Sequence, residues 1–132
     1  MKTEPLSIEI PAPKNAVLHY LSDIENFPEW ATEFCQQLRK EDDHYKVSTP
    51  MGELYLRINA DEKTGEIHYF ATPEPNGTEY LPSKVTPIDD SSCQYMIDFS
   101  QPKNLSDEIY QQQCSAIKIE MQNIKNNFTR HH

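Results

Sequence analysis

The last quarter of the sequence carries one long apolar stripe with helical spacing. Its members follow one another at intervals of four, three, four, three and four residues: Tyr110, Cys114, Ile117, Met121, Ile124 and Phe128. Such intervals place side chains on one face of an α-helix. Ser106 is suited to cap this helix, and Asp107 and Glu108 suit the positive end of its dipole. We therefore expect a helix of about six turns with one buried face.

The chain ahead of this helix is mostly of period two. Residues 6–10 alternate apolar and polar, residues 14–21 place apolar side chains on one helical face, and residues 26–30 suggest a second short helical turn. Alternation then predicts six further strands, at 33–40, 45–49, 53–60, 66–72, 78–86 and 92–100. Consecutive strands closed by one helix predict an α+β fold with an antiparallel sheet. The stripe is too short for a coiled coil, so the helix is expected to lie across the sheet.

Size and charge restrict the partners of this chain. A length of 132 residues suits one domain, which we expect to span residues 1–130. The formal net charge is −9, and no cluster of basic residues exceeds the pair Arg39 and Lys40. We therefore expect no nucleic-acid partner. No apolar run approaches the length of a membrane-spanning helix, so no membrane insertion is expected.

Residue types that bind metals or cofactors are not arranged in recognisable motifs. The three cysteines, Cys35, Cys93 and Cys114, are widely spaced and are expected to be small buried side chains. His19 and His44 have no ligand partner at suitable spacing, and no phosphate loop or dinucleotide fingerprint is present. We predict no metal site, no cofactor and a cytoplasmic location. The terminal histidines, residues 131–132, are either native or the remnant of an expression tag, so no functional role is assigned to them.

Two segments resemble the START-like superfamily, the polyketide cyclase/dehydrase and lipid-transport group also called SRPBCC. Residues 8–13 (IEIPAP), followed by Val17, resemble the family's opening strand, Ala-Pro and helix. Residues 21–30 (LSDIENFPEW) resemble its Leu-x-Asp…Asn…Pro-x-Trp turn. The resemblance implies a helix-grip fold, in which a curved sheet of about six to seven strands wraps around the long C-terminal helix. It also implies a cavity between them, used in that family for lipids, polyketides, other small apolar compounds or enzymatic cyclisation.

Trp30 and a pair of strands supply the first candidate binding residues. Trp30 is expected to anchor the packing between the short helices and the sheet, with a cavity mouth as the alternative. If the hairpin turn is centred near Lys63, Arg57 lies opposite Tyr69, and both share a face with Tyr55. An inward Arg and Tyr would hold a carboxylate or polarise a carbonyl. The alternative places this face in solvent, because apolar residues normally take the buried side.

The final strand and helix supply the remaining candidates. Gln113 and Glu120 flank the apolar stripe on one edge, and a buried Glu120 is a possible general acid or base. A surface carboxylate is the alternative. The expected cavity wall consists of these residues with apolar and aromatic neighbours: Tyr95, Tyr110, Gln113, Ile117, Glu120 and Met121.

Three classes of function remain open from the sequence. The leading hypothesis is a protein that binds a small hydrophobic molecule in an internal cavity. The second is a cyclase or dehydratase acting on a carbonyl compound in that cavity. The third is an interaction module whose cavity is filled by its own side chains. The sequence also leaves open whether the chain forms a homodimer.

Overall fold

A computed structural model describes residues 3–50 and 52–129, with the side chains of residues 3–5 undescribed. The prediction for residues 131–132 lies outside this range. The helices are α1 (Lys14–Ser22), α2 (Phe27–Trp30) and α3 (Asp107–Thr129), with one 3₁₀ turn at Ile24–Asn26. The strands are β1 (Thr3–Ile10), β2 (Gln37–Glu41), β3 (His44–Thr49), β4 (Gly52–Ala60), β5 (Glu66–Thr72), β6 (Leu81–Asp89) and β7 (Ser92–Ser100).

The strands form one antiparallel sheet of seven strands in the order β1-β7-β6-β5-β4-β3-β2. Neighbours from β2 to β7 are consecutive along the chain, and β1 returns to pair with β7. The long helix α3 packs against β1 and α2, and α1 packs against β4 and β6. The predicted α+β helix-grip architecture is therefore confirmed.

The sheet has an inner face, packed against the helices, and an outer face. Leu6 and Ile10 of β1 lie directly opposite Ile97 and Cys93 of β7, and all four side chains are buried. The inner face continues across the other strands with buried residues at alternate positions: Val47, Leu56, Ile67, Tyr69, Val85 and Tyr95. The stripe of α3 covers this face with Tyr110, Cys114, Met121 and Ile124, all at most 2% exposed. Period-two strands and a period-3.6 helix thus bury one shared core.

Side chains cap the N-termini of α3 and of the 3₁₀ turn, and the cap of α3 is the predicted one. The Ser106 hydroxyl accepts the N–H of Ile109 at 3.2 Å and caps α3. The Asp23 carboxylate accepts the N–H of Glu25 at 3.0 Å and caps the 3₁₀ turn. Pro13 directly precedes the first residue of α1. The three cysteines are buried, as expected.

Two of the predicted strands begin later than expected. The strand predicted at 33–40 begins at Gln37, because Ala31 to Cys35 form hydrogen-bonded turns. The strand predicted at 78–86 is β6, which begins at Leu81 after a loop. Within residues 3–50 and 52–129, no helix combines the length and apolar character needed to cross a bilayer.

Candidate functional site

Two tyrosine hydroxyls meet in the interior of the protein. Tyr69 on β5 and Tyr95 on β7 both point to the inner face, and their hydroxyl oxygens lie 2.7 Å apart. Ser83, on the strand between them, is buried and donates to the carbonyl of Ile67 at 2.7 Å. Burial raises the pKa of both tyrosines, so both phenols are neutral donors and acceptors. The sheet therefore places a polar group in an otherwise apolar interior.

The indole of Trp30 packs beside this tyrosine pair. Its ring lies edge-on to Tyr69, with centroids 5.7 Å apart, and to Phe27, with centroids 5.1 Å apart. Trp30 is 4% exposed, which confirms the prediction that it is an anchor of the core. Its Nε1–H is buried and has no hydrogen-bond partner among the described residues. Buried indole N–H groups usually find an acceptor, so this donor is an exception that needs an explanation.

Glu120 extends from α3 into the same region and is buried. Its Oε2 accepts the backbone N–H of Phe34 at 2.9 Å and that of Glu33 at 3.1 Å. No donor among the described residues bonds its second oxygen, Oε1. Burial raises the pKa of Glu120 to about 7; the two N–H donors oppose this, and the Glu33 carboxylate adds to it. The surface alternative for Glu120 is therefore wrong.

Asn123 extends this attachment by one helical turn. Its side-chain amide donates to the Trp30 carbonyl at 3.1 Å and to the Thr32 hydroxyl at 2.9 Å. Residues three apart on a helix lie on the same side, so Glu120 and Asn123 together hold the segment from Trp30 to Phe34. We call this segment, with the rest of α2, the α2 plug (residues 27–34). It covers the tyrosine pair from the helix side.

The charge of Glu120 affects the pKa values of neighbouring side chains. After burial and the neighbouring tyrosine, the charge of Glu120 adds to the raised pKa of Tyr69. The same charge, after burial, raises the pKa of the Cys35 thiol. Glu120, Tyr69, Tyr95 and Cys35 therefore share one poorly solvated region.

The predicted pairing of Arg57 with Tyr69 is wrong by one residue. Arg57 lies opposite Phe70, and Ile58 lies opposite Tyr69. Four residues, 62–65, separate the hydrogen-bonded residues Asp61 and Glu66, so the turn has no central residue. Gly65 closes it with a φ of 82°, where a side chain would collide with the carbonyl of Val85.

This register separates the predicted strand candidates. Tyr69 faces inward, whereas Tyr55 and Arg57 lie on the outer face. The Arg57 guanidinium lies over the Phe70 ring, 4.3 Å from its centroid, and donates to the Gly77 carbonyl at 2.6 Å. The solvent-face alternative therefore holds for Arg57 and not for Tyr69.

The remaining helix candidates divide by position along α3. Met121 is buried next to Glu120. Gln113 and Ile117 are half-buried, and Ile117 packs against the core. Tyr110 is buried about three turns before Glu120, where its hydroxyl donates to the Phe99 carbonyl at 2.6 Å. The structure thus brings together Trp30, Tyr69, Tyr95 and Glu120.

Sequence reasoning missed Ser83 and Asn123. Ser83 interrupts the alternating apolar residues Leu81 and Val85 on β6, so a polar residue at an inward position was an available signal. Asn123 follows Glu120 by three residues, but nothing in the sequence indicates its partners more than 90 positions away.

Side chains occupy the interior between α3 and the sheet. Six of these side chains each expose at most 6% of their surface: Phe27, Trp30, Tyr69, Tyr95, Glu120 and Met121. Two depressions on the described surface lie elsewhere. The larger, of about 660 Å³, lies at the β4–β5 loop. The other, of about 350 Å³, lies beside β4 and the 3₁₀ turn, and neither is lined by α3.

Comparison with solved structures finds the same architecture over the whole chain. XoxI from Bacillus cereus superposes with a TM-score of 0.74 at 15% identity, covering 100% of both chains. A START superfamily protein from Mycobacterium smegmatis gives a TM-score of 0.67 at 10% identity, covering 98% of this chain and 99% of that one. The fold is START-like. The Aha1 dimer from Colwellia psychrerythraea shares this START-like fold, with a TM-score of 0.69 at 9% identity over 97% and 96% of the two chains.

Sequence comparisons add nothing to this structural likeness. No protein-family model matches the chain, and no curated protein matches it significantly. Identities of 9–15% establish the START-like fold alone. The function must therefore be argued from the residues of the interior.

Proposed function

We propose that this START-like protein binds a small, mainly apolar molecule carrying a hydrogen-bond acceptor, in the space between α3 and the inner face. The observation that carries this proposal is the buried Nε1–H of Trp30, which has no partner among the described residues. Leaving a buried donor unpaired costs about 1–3 kcal/mol. A carbonyl or ether oxygen of a ligand would remove that cost.

The neighbours of Trp30 support a ligand with a polar end. One of the Tyr69 and Tyr95 hydroxyls donates to the other, and the accepting tyrosine can direct its own O–H to a ligand without breaking that bond. Around them the interior is apolar, with Ile67, Val85 and Met121 buried. A compact ring system with one carbonyl group matches this distribution of polar and apolar groups.

The α2 plug must move for such a ligand to enter. Trp30 and Phe27 fill the space beside Tyr69. The plug is attached to α3 through the four hydrogen bonds of Glu120 and Asn123. Its helix is one turn long, so it has little internal stability of its own. Outward displacement of the plug would admit the ligand while the sheet and α3 stay fixed, and Trp30 would donate its Nε1–H to the ligand once the plug returns.

A neutral hydrophobic dye, N-phenyl-1-naphthylamine, tests occupancy of this space. We expect one dye to bind per native chain, with enhanced fluorescence. Met121→Trp should prevent binding by filling the space, whereas Met96→Trp on the outer face of β7, where Met96 is 39% exposed, should leave it unchanged. Both variants must retain cooperative unfolding. Dye that binds only after partial unfolding, or binding unaffected by Met121→Trp, would contradict the proposal.

A second candidate function is proton transfer on the bound molecule. The favouring observation is Glu120, buried with a pKa near 7 and with Oε1 unbonded by the described residues. A carboxyl group of this kind is poised to act as a general acid or base at neutral pH. Exchange of the α-protons of bound 1-tetralone for deuterium, followed by NMR, tests it. Glu120→Gln should abolish exchange while retaining binding, and equal exchange in both proteins would reject the catalytic candidate alone.

A further inference from the structure

The strand β4 extends beyond its pairing with β3, which leaves a notch at one end of the sheet. The last paired residues of the two strands are Tyr45 on β3 and Leu56 on β4. β4 continues for four residues to Ala60 and stays paired with β5 on its other side. About 13 Å of β4 therefore has no neighbouring strand on the β3 side. We call this stretch of β4 edge, residues 57–60, the β4 notch.

Backbone hydrogen-bonding groups point into the β4 notch. In an antiparallel pair, successive residues direct their N–H and C=O groups alternately to the two sides of the strand. The Asp61 N–H bonds the Glu66 carbonyl across the hairpin, so in the same alternation Arg57 and Asn59 bond to β5. Ile58 and Ala60 must then direct their backbone groups to the β3 side. No described residue provides a backbone partner there.

Open space lies beside these groups. The depression of about 350 Å³ is lined by residues 55–59 of β4, residues 44–45 of β3, Asp43 of the β2–β3 turn, and by Ser22, Ile24 and Pro75. The side chains of Ile24, Tyr45 and Ile58 are partly buried and pack against the core. The space thus combines a strand edge with an apolar wall on the inner side. An extended chain with alternating side chains fits these two features.

Acidic residues stand at both ends of the β4 notch. Asp42 and Asp43 form the turn at one end, and Asp61 and Glu62 open the β4–β5 loop at the other, followed by Lys63. Three other basic side chains nearby, Arg57, Lys40 and His44, contact aromatic rings. Arg57 lies over Phe70, and the Lys40 ammonium lies 5.7 Å from the Tyr45 ring centroid. The His19 imidazole lies 3.7 Å from the Glu62 carboxylate. The ends of the notch therefore favour a cationic occupant.

We infer that the β4 notch binds a short, extended, basic peptide segment of a partner protein as an added strand. The backbone groups of Ile58 and Ala60 would form the ladder, which gives affinity without sequence specificity. Alternate apolar side chains of the peptide would enter the wall of Ile24 and Tyr45, and basic side chains would face the acidic ends. This site is separate from the interior around Trp30 and does not depend on the function proposed there.

Charge also decides against a second copy of this chain as the occupant. Antiparallel pairing of two notches would place Asp42 and Asp43 of one copy near Asp61 and Glu62 of the other. Each chain also carries a formal net charge of −9. Like charges opposed across paired strands are destabilising. The acidic ends of the β4 notch would attract a cationic peptide and repel a second copy of this chain.

Fluorescence polarisation with labelled six-residue peptides tests the inference. The probe alternates Lys and Val, and its controls are the alternating Glu and Val peptide and a Lys and Val peptide N-methylated at alternate residues. We expect binding of the Lys peptide that weakens as salt screens the charges. The Glu peptide should not bind. N-methylation should abolish binding when the methyl groups replace the N–H groups facing the notch.

Variants of the protein test whether the peptide binds at the β4 notch. Ala60→Pro removes a backbone N–H that points into the notch, and it removes no hydrogen bond to β5. We expect this variant to bind the peptide about tenfold more weakly and to keep its melting temperature. Asp43→Asn should weaken it about threefold, whereas Asp98→Asn, three strands away on the outer face, should not. Failure of the Lys peptide to bind at about 1 mM would overturn the inference. Equal binding of the Lys peptide to the Ala60→Pro variant would overturn the inference as well. So would a native protein that forms a dimer, if the Ala60→Pro variant does not form one.

Discussion

The carboxylate of Glu120 accepts the backbone N–H of Phe34 at 2.9 Å, across 86 residues of sequence. This bond joins the last helix to the segment that carries the aromatic side chains of α2. It uses a charged acceptor in a poorly solvated place, where the charge costs free energy unless it is well paired. Glu120 therefore attaches the α2 plug to α3.

Protonation of Glu120 makes the stability of the protein depend on pH. Its pKa rises on folding from 4.5 to about 7, chiefly because of burial. The folded state then binds more protons than the unfolded state between these values, so this contribution is present below pH 4.5 and is lost as pH rises through 7. Glu120→Gln keeps an acceptor without the charge. It should be more stable than the native sequence at pH 8, by up to about 3 kcal/mol, and equal at pH 4.

Urea unfolding at both pH values measures this difference. Glu79→Gln, in the exposed loop before β6, makes the same chemical change and should have little effect at either pH. A Glu120→Gln protein that is less stable at pH 8 than at pH 4, relative to the native sequence, would show that the ionised carboxylate stabilises the fold.

Removing Asn123 should loosen the α2 plug without unfolding the protein. Asn123→Ala removes two donated hydrogen bonds, to the Trp30 carbonyl and the Thr32 hydroxyl. We expect a loss of about 1–2 kcal/mol of stability and faster hydrogen exchange at the amides of Glu33 and Phe34. The neighbouring variant Gln122→Ala, which loses only an exposed bond to Asn126, should leave this exchange unchanged. Equal exchange in the two variants would mean that Asn123 does not hold the plug.

Truncation of Trp30 should be far more costly than truncation of an exposed aromatic residue. Trp30→Ala removes a buried indole that packs against Phe27 and Tyr69. We expect a loss of about 3–5 kcal/mol in the free energy of unfolding. Tyr80→Ala, at a side chain 49% exposed, is the control and should cost much less. Similar melting temperatures for the two variants would place Trp30 outside the stabilising core.

The sequence predicts regular elements better than it predicts their pairing. The stripe from Tyr110 to Phe128 identifies α3, because helical periodicity is a local property. The partner of Tyr69 depends on whether the β4–β5 turn holds an odd or even number of residues, and one residue exchanges the two faces of a strand. The START-like resemblance supplied the helix-grip arrangement that local patterns leave undetermined.

The polar interior was predicted only in part. Trp30, Tyr69, Tyr95, Glu120 and Met121 were candidate residues, but their association depends on tertiary packing. The unpaired N–H of Trp30 has no signature in the sequence, since it is defined by what surrounds the indole. The same holds for the bonds from Glu120 to Glu33 and Phe34, which join distant segments.

We propose that the Trp30 N–H donates to an acceptor atom of a ligand. The chain has one tryptophan, so a ¹⁵N-labelled sample gives a single indole N–H signal. 1-Tetralone and tetralin share one bicyclic carbon skeleton, but only 1-tetralone carries a carbonyl oxygen. We predict that 1-tetralone shifts the indole proton signal downfield in a saturable manner and that tetralin binds more weakly without this shift. An indole signal that stays unchanged at saturating 1-tetralone, or moves equally with tetralin, would contradict the account.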